Sequence, residues 1–129
     1  MIVKQVSVFV EKTVGRLADL TKILTDNNVD LKASTIAETV DFGILRCIVE
    51  EPEKTVKILV ENGFSASISE VTGVSLEDKP GGLHKVLAVL AEAGIAVNYI
   101  YSTIKSAEGK AIIMMKTSDA AKAEEVLKA

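Results

Sequence analysis

The sequence predicts an α+β protein made of two βαββαβ units in tandem, with antiparallel sheets and the helices on one face. The first observation behind this prediction is an internal repeat at an offset of 66 residues, which aligns Gly15 with Gly81 and Leu24 with Leu90. The second is that each repeat alternates segments of strand spacing with segments of helical spacing. We therefore expect two domains, residues 1–69 and residues 70–129.

The elements of the first unit follow from local patterns. Apolar residues at every second position predict a first strand, and an apolar spacing of three and four residues predicts the helix that follows. Pro52 is suited to the first position of a second helix, residues 52–62. Between the helices we expect strands at residues 30–39 and 42–50, with the turn at Val40-Asp41 or near Gly43. Residues 64–69 form the last strand.

The second unit repeats this order. A strand at residues 71–76 leads into a helix whose first residue is predicted to be Pro80. Strands at 95–105 and 110–116 are joined through residues 106–109, and Ser118 is a suitable N-cap for a helix at 119–128. No segment is left for a closing strand. The unit has three strands of its own, or a missing C-terminal segment or a partner supplies the fourth.

Two of the predicted strands are too apolar for a sheet with one face in water. Residues 111–115 do not alternate at all, and in residues 44–49 only Arg46 is polar. We therefore expect the second face to be covered by the other unit or by another chain, and we favour a homodimer. The alternative is that Met114 and Met115 are scattered surface residues.

The amino-acid composition excludes several classes of function. With 15 Lys and Arg against 18 Asp and Glu, the slightly acidic balance argues against a nucleic-acid protein, which normally carries a basic patch. Cys47 and His84 are the single residues of their types, which excludes a disulfide framework and any metal centre with two imidazoles. No apolar run reaches the roughly 20 residues of a membrane-spanning helix, and no signal peptide is visible. We expect a cytoplasmic protein with no cofactor and no membrane partner.

No residue set indicates catalysis. Cys47 lies within an apolar strand, where a thiol is inert, and His84 is expected at the solvent-facing start of a helix, where it can at most touch a ligand. The chain is therefore predicted not to be an enzyme.

Two turns that contain glycine are the sequence features that indicate ligand binding. The first glycine turn (residues 11–17) and the second glycine turn (residues 77–83) both run from an acidic strand end through Gly15 or Gly81 into a helix. The first amides of a helix can hold a carboxylate, and glycine lets a ligand approach the backbone. Glu11, Glu77 or Asp78 could then meet an ammonium group. This pairing suits an α-amino acid, and the alternative is ordinary helix capping.

These turns, with the segments at residues 35–46 and 91–102, resemble the ACT domain, and the chain is similar to stand-alone tandem ACT proteins. The resemblance implies ferredoxin-like βαββαβ units that bind an amino acid and regulate an enzyme or a transcription factor. It also implies that the effector lies between the turn of one unit and the second strand of the other. Carried over by position, one site comprises Glu11, Lys12, Thr13, Val14, Gly15, Arg16 and Leu17 with Asn98, Tyr99, Ile100, Tyr101 and Ser102. The other comprises Asp78, Lys79, Pro80, Gly81, Gly82 and Leu83 with Ala33, Ser34, Thr35 and Ile36.

The chain departs from this family pattern at several positions. Lys12 and Asp78 stand where serine-binding members have Asn, and Val14 stands where Pro is usual. The identity of the amino acid is therefore left open. The second glycine turn, with two glycines, is expected to be the more open of the two.

Other functions on the same architecture remain as alternatives. An adaptor that recruits proteins through its apolar sheet face needs no ligand. An acylphosphatase-like enzyme would need an Arg beside an Asn, and Arg16 is the only Arg near either turn. An RNA binder would need aromatic residues on central strands, but Tyr99 and Tyr101 lie on a second strand.

Overall fold

A computed structural model describes residues 1–103 and 109–128 of the chain. It confirms the two βαββαβ repeats. Ten elements follow one another: β1 (Ile2–Glu11), α1 (Arg16–Asp26), β2 (Ala33–Glu38), β3 (Phe42–Ile48), α2 (Pro52–Glu61), β4 (Ser65–Glu77), α3 (Gly82–Glu92), β5 (Val97–Ser102), β6 (Lys110–Thr117) and α4 (Ala120–Lys128). All paired strands are antiparallel. The predicted connection at residues 106–108 and the end of the strand predicted for 95–105 lie outside the described residues.

The chain forms two compact units. The first unit is Lys4–Ser69, and the second unit comprises Met1–Val3 with the residues from Glu70 onward. The strand order of the first unit is β2-β3-β1-β4. Its core lies between the sheet and two helices, since the alternate residues Val6, Val8 and Val10 of β1 are buried together with Leu20 and Leu59 of α1 and α2. Alternation at period two puts these valines on one face of the strand, as the sequence predicts.

In the second unit, the first residues of the chain occupy the position of the fourth strand. Its order is β5-β6-β4, and Met1–Val3 run beside β4. The Gly73 N–H donates to the Met1 carbonyl at 2.7 Å, and the Met1 ammonium donates to the Gly73 carbonyl at 2.9 Å. The N-terminal segment was not among the sources predicted for the closing strand, because it lies at the opposite end of the sequence. The predicted boundary between residues 69 and 70 stays a prediction.

The core of the second unit corrects one alternative about its sheet. Met115 is fully buried and packs with Leu90, Ile95 and Ala123, and Met114 on the other face is only 6% exposed. Neither methionine is a surface residue. Burial of large apolar side chains contributes about 1.5–3 kcal/mol each, which accounts for the lack of alternation in β6.

Two predicted helix starts are wrong. Pro80 is not the first helical residue, because Gly81 adopts a left-handed conformation (φ 89°) that no right-handed helix accommodates, and α3 begins at Gly82. Ser118 does not cap α4. Instead the Asp119 carboxylate accepts the Lys122 N–H at 3.0 Å, while the Ser118 hydroxyl oxygen accepts the Ala96 N–H at 3.1 Å.

Other local predictions are confirmed. Pro52 begins α2, and Asn28 has the left-handed conformation (φ 57°) expected after α1. The turn between β2 and β3 lies at Val40-Asp41, where the Thr39 N–H donates to the Phe42 carbonyl at 2.8 Å. In the described part of the chain, no helix combines the length and the apolar character needed to cross a bilayer.

Candidate functional site

The two glycine turns have the same backbone conformation. Gly15 has φ 87° and ψ −11°, Gly81 has φ 89° and ψ −11°, and each is the N-cap of its helix without a side-chain cap. In the first turn the Arg16 N–H donates to the Thr13 carbonyl at 3.2 Å, and in the second the Gly82 N–H donates to the Lys79 carbonyl at 3.0 Å. The repeated sequence pattern is therefore a repeated three-dimensional motif.

The charged side chains of the first glycine turn are bound by the protein itself. The Arg16 Nε donates to Glu11 Oε2 at 2.6 Å, and its guanidinium lies 3.9 Å from the centroid of the Phe64 ring. The hydrogen bond from Arg16 holds the pKa of Glu11 below its ordinary value, assisted by a backbone hydrogen bond and the Arg16 charge. Arg16, a predicted ligand contact, is thus fixed by protein groups on two sides.

Lys12 is bound in the same manner. Its ammonium donates to the Thr39 carbonyl at 3.1 Å and the Val40 carbonyl at 3.4 Å, and it pairs with Glu38 at 2.9 Å. The hydrogen bond from Lys12 lowers the pKa of Glu38, and the Lys12 charge adds to the effect. Lys12 therefore connects the first glycine turn to the turn between β2 and β3 through hydrogen bonds and a salt bridge.

A shallow cavity of about 320 Å³ lies beside the start of α1. Four of its lining residues are predicted site residues, one from the glycine turn and three from the second strand of the same unit. The full lining is Leu17, Thr21, Leu31, Ser34, Thr35, Ile36 and Leu45. The structure therefore brings Leu17 together with residues 34–36 within one unit. The pairing of each turn with the second strand of the other unit stays a prediction.

The second glycine turn borders a different cavity, of about 230 Å³. Gly82 is the predicted site residue that lines it. A Cβ built on Gly82 would lie only 2.0 Å from the Glu77 carbonyl oxygen, so the close approach of these two backbone segments requires glycine. The lining residues are Ser75, Leu76, Glu77, Gly82, Lys85, Val86 and Lys110.

Lysines surround the Glu77 carboxylate at this cavity. Lys79 pairs with Glu77 Oε2 at 2.6 Å, and this hydrogen bond lowers the pKa of Glu77 and raises that of Lys79. The charges of Lys79, Lys85 and Lys110 lower the pKa of Glu77 further. Sequence reasoning missed Lys85 and Lys110. Lys110 lies opposite Glu77 in the β4–β6 pairing, and only that register could have revealed it.

The predicted residues on the second strands differ in accessibility. β2 and β5 are edge strands of their units. Ala33 is fully buried and Tyr101 is 8% exposed, so these two side chains belong to the packed interior rather than to an open surface. The Tyr99 and Tyr101 rings stack with centroids 6.4 Å apart. The exposed residues of the predicted β5 set are Asn98, Ile100 and Ser102.

The residues with intrinsic reactivity are placed as the sequence predicts. Cys47 is 1% exposed, and desolvation raises the pKa of its thiol to about 12, which keeps it protonated and unreactive. His84 is exposed on the first turn of α3. Among residues 1–103 and 109–128, no group of three or more His, Cys, Asp or Glu side chains could hold a metal ion.

Two tandem α+β units with duplicated glycine turns define a class of small paired modules. A family model described as an ACT domain pair matches residues 1–129, and the chain therefore belongs to the ACT domain family. A protein of Bacteroides thetaiotaomicron with a known crystal structure is similar, with 41% identity, a TM-score of 0.92 and coverage of 99% of this chain and 88% of that chain.

More distant structures share the fold. The regulatory subunit of aspartate kinase from Thermus thermophilus, in its ligand-free form, is 15% identical with a TM-score of 0.71, over 97% of this chain and 88% of that chain. The corresponding subunit from Thermus flavus is 14% identical with a TM-score of 0.66, at the same coverage. A comparison with curated proteins finds no match.

Proposed function

We propose that this chain is a cytoplasmic, non-catalytic regulatory protein that binds an α-amino acid at its glycine turns and thereby controls an enzyme or a transcription factor. Membership of the ACT family and the fold shared with regulatory subunits of aspartate kinase support the regulatory part of this proposal. The observation that carries the ligand-binding part is the identical conformation of Gly15 and Gly81 at two uncapped helix starts.

The chemistry of such a turn suits a zwitterion. The first amides of a helix have no intrahelical acceptor, and together with the positive end of the helix dipole they attract a carboxylate. A Cβ built on Gly15 or Gly81 would have no atom within 4 Å, so the space beside each turn is open to a ligand. Arg16 and Lys79 each bind only Oε2 of Glu11 and Glu77, and these side chains are 61% and 48% exposed, so an ammonium group can approach the other oxygen.

The proposed sites combine each glycine turn with the second strand of the other unit, in a homodimer. Two features support the dimer. The edge strands β2 and β5 offer backbone groups that a second copy can pair with. Phe9 is 48% exposed although its ring makes an edge-to-face contact with Phe42, 5.1 Å between centroids, and a partner surface would cover it.

A thermal-shift panel of the twenty amino acids tests the proposal. A ligand that binds the native state alone stabilises it by about 2.7 kcal/mol at a hundredfold excess over its Kd, and at least one amino acid should raise Tm accordingly. The variant Gly81→Val should reduce the shift, because it blocks one of the two proposed sites.

Gly63→Val is the matched control. Gly63 has φ 86° and equally open surroundings, but it lies after α2 in the first unit, outside the second glycine turn that Gly81→Val alters. Both variants carry the strain of a branched residue at positive φ, so only loss of the ligand response distinguishes them. An unchanged Tm with all twenty amino acids at millimolar concentration would refute ligand binding.

The second candidate function is an adaptor without a ligand. The exposed side chain of Phe9 (48%) and its ring neighbour Phe42 favour it, because exposed apolar groups mark protein-binding surfaces when they cluster. For an adaptor, Gly81→Val and Gly63→Val should behave alike in every assay.

A further inference from the structure

We propose that the cavity beside the second glycine turn binds an α-amino acid whose side chain carries a carboxylate, and that Lys85 and Lys110 determine this specificity. The inference rests on the proposed function and adds the chemical class of the ligand. It is carried by the arrangement of charges in the second unit.

The cavity gathers charged groups from three elements. Glu77 ends β4, Lys110 begins β6 directly opposite it in the strand pairing, and Lys85 lies one turn into α3. Its volume of about 230 Å³ is below the roughly 300–1,000 Å³ of sites for drug-sized molecules, so a ligand of amino-acid size is appropriate.

Among the described residues, the ammonium groups of Lys85 and Lys110 have no hydrogen-bond or salt-bridge partner, whereas Glu77 is paired with Lys79. Both lysines line the cavity together with Glu77, and their positive charges lower the pKa of the Glu77 carboxyl group. An anionic group entering the cavity would meet two cations whose ammonium groups form no salt bridge with the described residues.

The cavity also has an acceptor for the ligand's own ammonium. Lys79 binds Oε2 of Glu77, while Oε1 has no protein partner among the described residues. An amino acid can therefore place its ammonium at Glu77, its α-carboxylate at the first amides of α3 and a side-chain carboxylate between Lys85 and Lys110. A neutral side chain would leave the two lysines without this partner.

The first unit lacks this arrangement at the equivalent positions. With the 66-residue offset, Asp19 stands where the second unit has Lys85. In the strand pairing, Phe42 lies opposite Glu11, whereas Lys110 lies opposite Glu77. Arg16, the counterpart of Gly82, is held by Glu11 and Phe64. The excess of positive charge therefore belongs to the second glycine turn alone, and an acidic ligand should discriminate between the two turns.

Titration calorimetry of the full chain at low ionic strength tests the inference with aspartate, glutamate, their amides asparagine and glutamine, and succinate. The wild type should bind one of the acidic amino acids at least about tenfold more tightly than its amide, a factor typical of a charge-assisted hydrogen bond. Lys85→Met and Lys110→Met should each reduce this preference about tenfold, and Lys→Arg at either position should retain it.

Lys57→Met is the control, because Lys57 is an exposed lysine of α2 that changes the net charge equally and lies in the first unit. It should leave the preference unchanged. The melting temperature of each variant without ligand shows whether it is folded.

The outcomes distinguish failure of the proposed function from failure of the inference about ligand specificity. If no amino acid binds, the proposed function fails and this inference fails with it. If a neutral amino acid binds and the acidic preference is absent, or persists in both methionine variants, only the inference is overturned. Succinate binding as tightly as the acidic amino acids would also overturn it, since the ligand ammonium would then contribute nothing.

Discussion

The guanidinium of Arg16 lies 3.9 Å from the centroid of the Phe64 ring while its Nε holds the Glu11 carboxylate at 2.6 Å. A single side chain thus links the end of β1, the start of α1 and the residue that precedes β4. The equivalent position of the second unit is Gly82, which leaves room for a cavity lined by lysines. This difference makes the two glycine turns unequal despite their identical backbones.

The contact between Arg16 and Phe64 should be measurable as a coupling energy. In a double-mutant cycle of Arg16→Met and Phe64→Leu, followed by urea unfolding, we expect a coupling of about 0.5–1 kcal/mol from the cation–π contact. Lys22→Met is the control, because Lys22 pairs with Asp26 on the exposed side of α1 and should show no coupling to Phe64. A coupling of zero for Arg16 would contradict the contact.

Burial of Cys47 should make stability depend on pH in the alkaline range. Its pKa is about 12 in the folded protein against an ordinary value of 9.0, so the folded state keeps the proton longer than the unfolded state. This contribution is fully present below about pH 9 and is lost as the pH rises toward 12, with a slope of about −1.4 kcal/mol per pH unit in the free energy of unfolding.

Comparison with Cys47→Ala isolates that slope from the titration of lysines and tyrosines, and the variant should lose it. At pH 8 the native thiol should also resist alkylation until the protein is unfolded with urea. Rapid labelling of the folded protein would show that the thiol is accessible, against the 1% exposure observed.

Gly82→Ala should be more destabilising than Gly81→Ala. A methyl group on Gly82 would meet the Glu77 carbonyl oxygen at 2.0 Å, and since this is a backbone atom the strand end must move, at a cost of about 1–3 kcal/mol. A methyl group on Gly81 has open space and carries only the strain of positive φ, about 1–2 kcal/mol.

Urea unfolding of both variants measures this difference in stability. Equal stability of Gly82→Ala and the wild type would mean that the strand end and the helix start are farther apart than observed.

Substitutions at Asp119 and Ser118 should show which of these neighbouring residues caps α4. Asp119→Ala should lower the free energy of unfolding by about 0.5–2 kcal/mol, because the Lys122 N–H loses its acceptor. Asp119→Asn should restore most of the loss, since an amide oxygen also caps a helix. Helix content measured by circular dichroism should fall with Asp119→Ala and stay constant with Ser118→Ala, whose hydroxyl serves Ala96 instead. The reverse order would reinstate Ser118 as the cap.

Much of the fold could be predicted because its signals are local. The alternation of Val6, Val8 and Val10, the proline at position 52 and the left-handed Asn28 are each specified by neighbouring residues, and each is confirmed. The errors at Pro80 and Ser118 also concern single positions. The left-handed conformation of Gly81 moves the helix start from Pro80 to Gly82. The hydrogen bond between Ser118 and Ala96 leaves Asp119 as the cap of α4.

The candidate site could be predicted less completely. The two glycine turns were recognised from their repeated spacing, but the internal pairing of Lys12 and Arg16 was not, because their partners Thr39, Val40 and Phe64 are distant in the chain. Lys85 and Lys110 were missed for the same reason. From the sequence alone, neither lysine is recognisable as a site residue. Only the strand register places Lys110 in the same cavity as Lys85.

The sequence by itself determined the order of the elements, the position of the glycine turns and the family to which the chain belongs, because backbone preference and side-chain periodicity are properties of contiguous residues. Only the tertiary structure decided that Met1–Val3 run beside Gly73, that Lys110 faces Glu77 and that Arg16 covers Phe64. These relationships depend on which distant segments the folded chain brings together and in which register. A one-residue shift in a strand pairing would change every one of its neighbours without altering any local pattern.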